Sequence, residues 1–173
     1  MDQPVLNKIN KNVKMEQVQA FVDHAREADL KIHACFMAGN PGDTMDSLNR
    51  TLDWALKQKA FDTAQFFPLQ VYPGTKAYDW AVDKGLLKQQ SYREWVTPSG
   101  HHNMTVIRND EDLSVQECLN FCDNARRKFY LRPSYIVRQV LKGLIDPQEF
   151  KKNFIGFISL SKHLFRNVSK EVG

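Results

Sequence analysis

Two turns of nearly the same wording constrain this chain more than any other feature: Asn40-Pro41-Gly42-Asp43-Thr44 and Tyr72-Pro73-Gly74-Thr75. Each closes an apolar run, Ile32 to Ala38 and then Ala64 to Val71, and each opens a stretch of helical character. The two prolines stand about 32 residues apart, the length of a strand, a loop and a helix together. The spacing therefore predicts successive β-turn-α units, with Thr44 and Thr75 placed to cap the helices that follow. Open α/β sheets and barrels hold their ligand sites at the carboxyl ends of strands. Both turns occupy that position.

Around the turns the periodicity fills in the elements. Met15, Val18, Val22 and Ala25 recur at helical spacing and predict a helix from Met15 to Asp29. From Ile32 to Ala38 almost every position is apolar, which reads as a strand buried on both faces of a helix-covered parallel sheet, with Cys35 used in packing. Leu48, Leu52, Ala55 and Leu56 give a second helix from about Thr44 to Gln58. A second strand is expected from about Asp62 to Val71. Pro68 interrupts it and implies an edge position or a bulge. Thr75 to Lys84 reads as a short helix closed by Gly85. Two strands alone make too small a sheet, so partner strands or a partner chain are implied.

Beyond Lys88 the character changes. Ser91 to Arg108 reads as irregular, with the pair His101-His102 in it. Ser114 and Glu117 stand in capping-box register at the head of a helix to Tyr130. Further helices are expected over Pro133 to Leu144 and Pro147 to about Val168. The division expected is 1–90, 91–112 and 113–173.

Composition excludes several classes. With 42% hydrophobic and 25% charged residues the chain is of the ordinary soluble kind, and a net charge of +4 is too mild to argue for nucleic acid. No apolar run approaches a membrane span, and the three cysteines are too unevenly spaced for a disulfide framework. A reducing cytoplasm fits those cysteines best.

The groups able to carry chemistry each admit a plainer reading. The turns either only reverse the chain, or backbone groups at Gly39, Asn40 and Gly42 line a ligand pocket, where helix N-termini favour anionic or polar groups. Cys118 and Cys122, one helical turn apart, either pack as thiols or bind metal with His101 or His102; packing is the simpler reading, and no metal site is assigned. The run from Arg126 to Arg132 reads as a basic helix end whose aromatics pack inward, so no nucleic-acid partner is expected. The last helix, with Phe150, Phe154 and Phe157 on its apolar face and Lys151 and Lys152 elsewhere, either docks on an α/β barrel or rests on a membrane surface.

The stretch Phe36-Met-Ala-Gly-Asn-Pro-Gly-Asp-Thr44, then Gln65-Phe-Phe-Pro-Leu-Gln-Val-Tyr-Pro-Gly-Thr75, resembles the later half of a radical SAM domain, and Cys122 to Pro133 resembles the tails of the cobalamin-binding members. The resemblance implies the last βα units of a partial (β/α) TIM-like barrel followed by an α-helical C-terminal extension. It implies that Met37, Ala38, Gly39 and Asn40 contact S-adenosylmethionine, and that Leu69, Gln70 and Val71 lie near its adenine. Asp43 stands where the family usually has glutamate. An iron–sulfur cluster, and cobalamin, would belong to the intact family protein, because the C-x3-C-x2-C loop is absent from this sequence. A small-molecule or lipid substrate and a missing N-terminal domain or partner chain are implied with it. The expectation is a fragment of such an enzyme, inactive alone; the alternative is a binding or assembly module that completes its sheet with a partner.

Overall fold

The computed structural model describes residues 2–87, 109–110 and 113–145. They divide between Cys122 and Asp123, within a helix, into two compact units. In the first unit come α1 (Gln3–Lys8), α2 (Met15–Glu27), β1 (Ile32–Ala38), α3 (Met45–Lys57), β2 (Phe61–Pro68) and α4 (Lys76–Asp83), followed by β3 (Asn109–Asp110) and β4 (Leu113–Ser114). The helix α5 (Val115–Tyr130) crosses the boundary, and α6 (Pro133–Ile145) lies in the second unit.

β1 and β2 pair in parallel from Ile32↔Phe61 to Ala38↔Pro68, with a register shift between Ile32 and His33. A parallel pair needs a crossover, and α3 supplies it. The result is a mixed α/β architecture with a two-stranded parallel sheet, which is coarser than the partial barrel expected: among the described residues β1 and β2 have only each other as neighbours. A two-residue antiparallel pair joins β3 to β4, Asn109↔Ser114 and Asp110↔Leu113. α1 was not anticipated. Its start is tied by Asp2, whose carboxylate bridges to Arg50 of α3 at 2.6 Å.

Helix limits follow the capping chemistry. The Thr44 hydroxyl accepts from the Ser47 N–H, and Ser47 Oγ accepts from the Thr44 N–H, so α3 begins on a reciprocal box. Thr75 caps α4 by accepting from the Tyr78 N–H. At α5 the Glu117 carboxylate accepts from both the N–H and the hydroxyl of Ser114 at 2.7 Å. These bonds hold the Glu117 carboxyl below the usual glutamate range.

Packing corrects two expectations. β1 is buried on one face only: Ala34, Phe36 and Ala38 point inward, while His33, Cys35 and Met37 are exposed. On the inner face Phe36 stacks on Phe66 at 4.9 Å, Trp54 of α3 meets Phe36 and Phe61, and Phe121 of α5 meets Phe66. Aromatic rings gathered on one side fill that layer and leave the other uncovered, so Cys35 is an exposed thiol and not a packing residue. β2 ends at Pro68 and not at Val71, because its partner β1 ends at Ala38, where the Gly39 backbone turns to a φ of +93°. The expected irregular stretch 91–108, with His101 and His102, and the helix over 147–168 lie outside the described residues.

Candidate functional site

The carboxyl ends of β1 and β2 lie side by side. Ala38 pairs with Pro68, and the Leu69 N–H donates to the Ala38 carbonyl at 2.7 Å. The two glycine-bearing corners therefore open on the same rim of one parallel pair. Each is a turn closed by a bond from its fourth residue to its first, Asp43 N–H to Asn40 carbonyl at 2.9 Å and Thr75 N–H to Tyr72 carbonyl at 3.2 Å. With proline second and a glycine at φ of +88° or +82° third, both match the type II turn.

Around the first corner a buried carboxylate organises the loop. Asp43 Oδ2 accepts from the Gly39 N–H at 3.0 Å and the Asn40 N–H at 2.8 Å, and Oδ1 accepts from Ser47 Oγ at 3.0 Å. Burial pushes the Asp43 carboxyl above the ordinary aspartate range, and the bonds from Asn40, Ser47 and Gly39 offset that only in part. The loop's two amide donors are thus turned inward onto a side chain, not outward to a ligand.

Of the residues expected to line a cofactor, the rim separates three kinds. Ala38 and Gly39 are buried, and a Cβ on Gly39 would meet Cys118 Sγ at 3.3 Å, so the thiol of α5 fills the space behind the loop. Leu69 and Val71 are also buried: with Ala81 they form the cluster on which α4 packs, flanked by Tyr78 and Trp80. Their side chains are committed to the core. Met37 is exposed, and Asn40 and Gln70 are half-buried. Asn40 Nδ2 donates to the Met37 carbonyl at 2.9 Å, and Gln70 accepts from the Tyr72 hydroxyl at 2.8 Å.

Sequence reasoning missed what lies beside these positions. The uncovered face of the sheet carries three cross-strand pairs, Met37 with Phe67 nearest the rim, Cys35 with Gln65, and His33 with Thr63, the last joined at 2.7 Å. Their alternation with buried Ala34 and Phe36 was readable only as a period-two pattern masked by apolar residue types. Lys8 of α1 reaches across the first turn, close enough that a Cβ on Gly42 would come within 2.5 Å of its Cδ. No short-range signal points to it. Cys118 and Cys122 are buried thiols. Among the described residues no group of three His, Cys, Asp or Glu is placed to hold a metal ion, and no helix is long and apolar enough to cross a membrane.

No family model matches the chain. An uncharacterized methyltransferase of Pyrococcus horikoshii is 24% identical over 138 residues, which cover 80% of this chain and 28% of that protein. The chain thus corresponds to less than a third of the relative's length. These findings overturn the expected membership of the radical SAM family, and with it the fragment of a radical SAM enzyme: the relative is described as a methyltransferase, and neither an iron–sulfur nor a cobalamin-binding family is matched. The geometry gives the reason. The two proline-glycine stretches that carried the resemblance are spent on type II turns and threonine caps, which any parallel βα unit can use.

Proposed function

We propose that this chain supplies part of an S-adenosylmethionine-binding surface in a methyltransferase, at the rim where β1 and β2 end. The observation that carries the reading is the open sheet face beneath two adjacent strand ends, with Met37 and Phe67 paired at its mouth. A thioether and an aromatic ring suit a purine face and a sulfonium carbon, since both are polarisable and apolar. Gln65, and the His33–Thr63 pair deeper on the same face, offer hydrogen bonds for ribose hydroxyls. The Gly39 and Asn40 amides are held by Asp43, so the ligand's carboxylate would have to be met elsewhere. Lys8, lying across the Gly42 turn, is the cation at hand. When bound, S-adenosylmethionine would supply an electrophilic methyl group; the chain's own residues would bind and orient it.

The sequence similarity to the Pyrococcus methyltransferase supports this reading, and since the chain corresponds to less than a third of that protein, further polypeptide would complete the site. Additional parallel strands, from a preceding domain or a partner chain, would extend the sheet from its outer edges. A small-molecule or lipid acceptor of the methyl group would lie in the same space.

Saturation-transfer NMR on the chain with S-adenosylmethionine provides the test. Transfer to the adenine protons is expected, with competition by S-adenosylhomocysteine and loss in Met37→Asp/Phe67→Asp. Absence of transfer, or transfer that the double substitution leaves unchanged, rejects the reading.

A further inference from the structure

The second unit carries a surface unrelated to the rim. Along α6 the residues Ile136, Val137, Val140, Leu141 and Leu144 recur at helical spacing and are 40–76% exposed, and Leu131 just before the helix is exposed as well. The opposite side of the same helix is occupied. Tyr135 packs against Phe129 and Tyr130 at 5.6 Å and 5.2 Å, Arg132 lies over the Phe129 ring at 4.1 Å, and Arg138 lies over Tyr135 at 5.4 Å. The aliphatic stripe is therefore the outward face of a helix already anchored by its aromatic side.

Charge narrows what could cover that stripe. Residues 125–145 hold Arg126, Arg127, Lys128, Arg132, Arg138 and Lys142 and no aspartate or glutamate. A second copy would cover the stripe but leave the cations of this segment unanswered. A nucleic acid would use the cations but leave five branched or long aliphatic side chains in water. A surface that is both anionic and apolar satisfies both features at once, attracting the cations on the polar side of the segment while the aliphatic tips enter the acyl chains. At 13 residues α6 is about 20 Å long, too short to span a bilayer of about 30 Å but suited to lying in its interface.

We propose that α6 seats its aliphatic stripe on an anionic membrane surface. The site is independent of the cofactor reading and stands if that reading falls. The experiment is sedimentation of the full chain with vesicles of phosphatidylcholine alone and of phosphatidylcholine with phosphatidylserine. Binding should favour the anionic vesicles by about tenfold or more and weaken as salt is raised. Val140→Ser/Leu144→Ser, which removes apolar surface without touching charge, should reduce binding to the level seen with neutral vesicles while the circular dichroism stays helical. Equal sedimentation with both vesicle types, no sedimentation with either, or full binding by the serine variant would each overturn the proposal. So would a dimer in ultracentrifugation that dissociates in the serine variant when the chain ignores vesicles.

Discussion

The two proline-glycine corners have the same local geometry and different surroundings. At the first, Asp43 follows the glycine, is only 4% exposed, and gathers the amides of Gly39 and Asn40 and the hydroxyl of Ser47. Lys8 lies across the turn and Cys118 stands behind it. At the second, Thr75 follows the glycine, its hydroxyl donates to the Tyr72 carbonyl at 2.7 Å, and nothing lies within 4 Å of where a Gly74 Cβ would be. One corner is a tied, buried knot and the other an exposed cap. A turn's type is therefore a property of four residues, whereas its rigidity and cost of alteration come from what packs on it.

Substitutions can break that contrast. The largest effect is expected from Asp43→Ala, which strands the backbone donors of Gly39 and Asn40 and should cost about 2–4 kcal/mol in urea unfolding. Asp43→Asn can still accept from the amides and donate to Ser47, and should cost about 1 kcal/mol or less. Next, Gly42→Ala and Gly74→Ala should each lose about 1–2 kcal/mol because both glycines sit at positive φ. The Gly42 variant should lose more, and Lys8→Ala in the same chain should remove the excess, because the added methyl meets the Lys8 stem. Thr75→Ala should cost about 1 kcal/mol, the ordinary loss of an exposed cap, with α4 fraying in hydrogen exchange.

The smallest effect is a pH slope. With its pKa raised by burial, Asp43 in the folded chain keeps a proton that the unfolded chain has already lost. Between the ordinary aspartate value and that raised value the folded state binds more protons, so Asp43's contribution falls as pH rises through the window and is flat above it. Urea midpoints across acidic pH should show this component in the native chain and lack it in Asp43→Asn. A component of the opposite sign would mean that the amide bonds outweigh burial. Thr75 offers no counterpart at the second corner.

Much of the fold was legible from residue order. The two strands and their parallel sense follow from two apolar runs joined by a helical stretch, and the starts of α3, α4 and α5 at Thr44, Thr75 and Ser114 follow from side chains that bond to backbone groups three positions on. The site was legible only as an address. Met37, Asn40 and Gln70 remain accessible to some degree at the rim, but Leu69 and Val71 are drawn under α4, and the amides of Gly39 and Asn40 are taken by Asp43. The family resemblance failed for a related reason: turn and cap wording reports local geometry, and local geometry is shared across unrelated chemistry.

Residue order alone determined where the chain turns, which side chains cap its helices and that its central strands run in the same direction. The turns and caps rest on contacts between near neighbours, whose energies are set by residue type, and the common strand direction rests on the helical crossover that joins the two runs. Tertiary structure decided that one face of β1 stays open, that Asp43 is a buried tether, and that Lys8 and Cys118 flank the first corner. Burial depends on partners far away along the chain, and almost uniformly apolar wording such as Ile32 to Ala38 cannot say which side those partners will take.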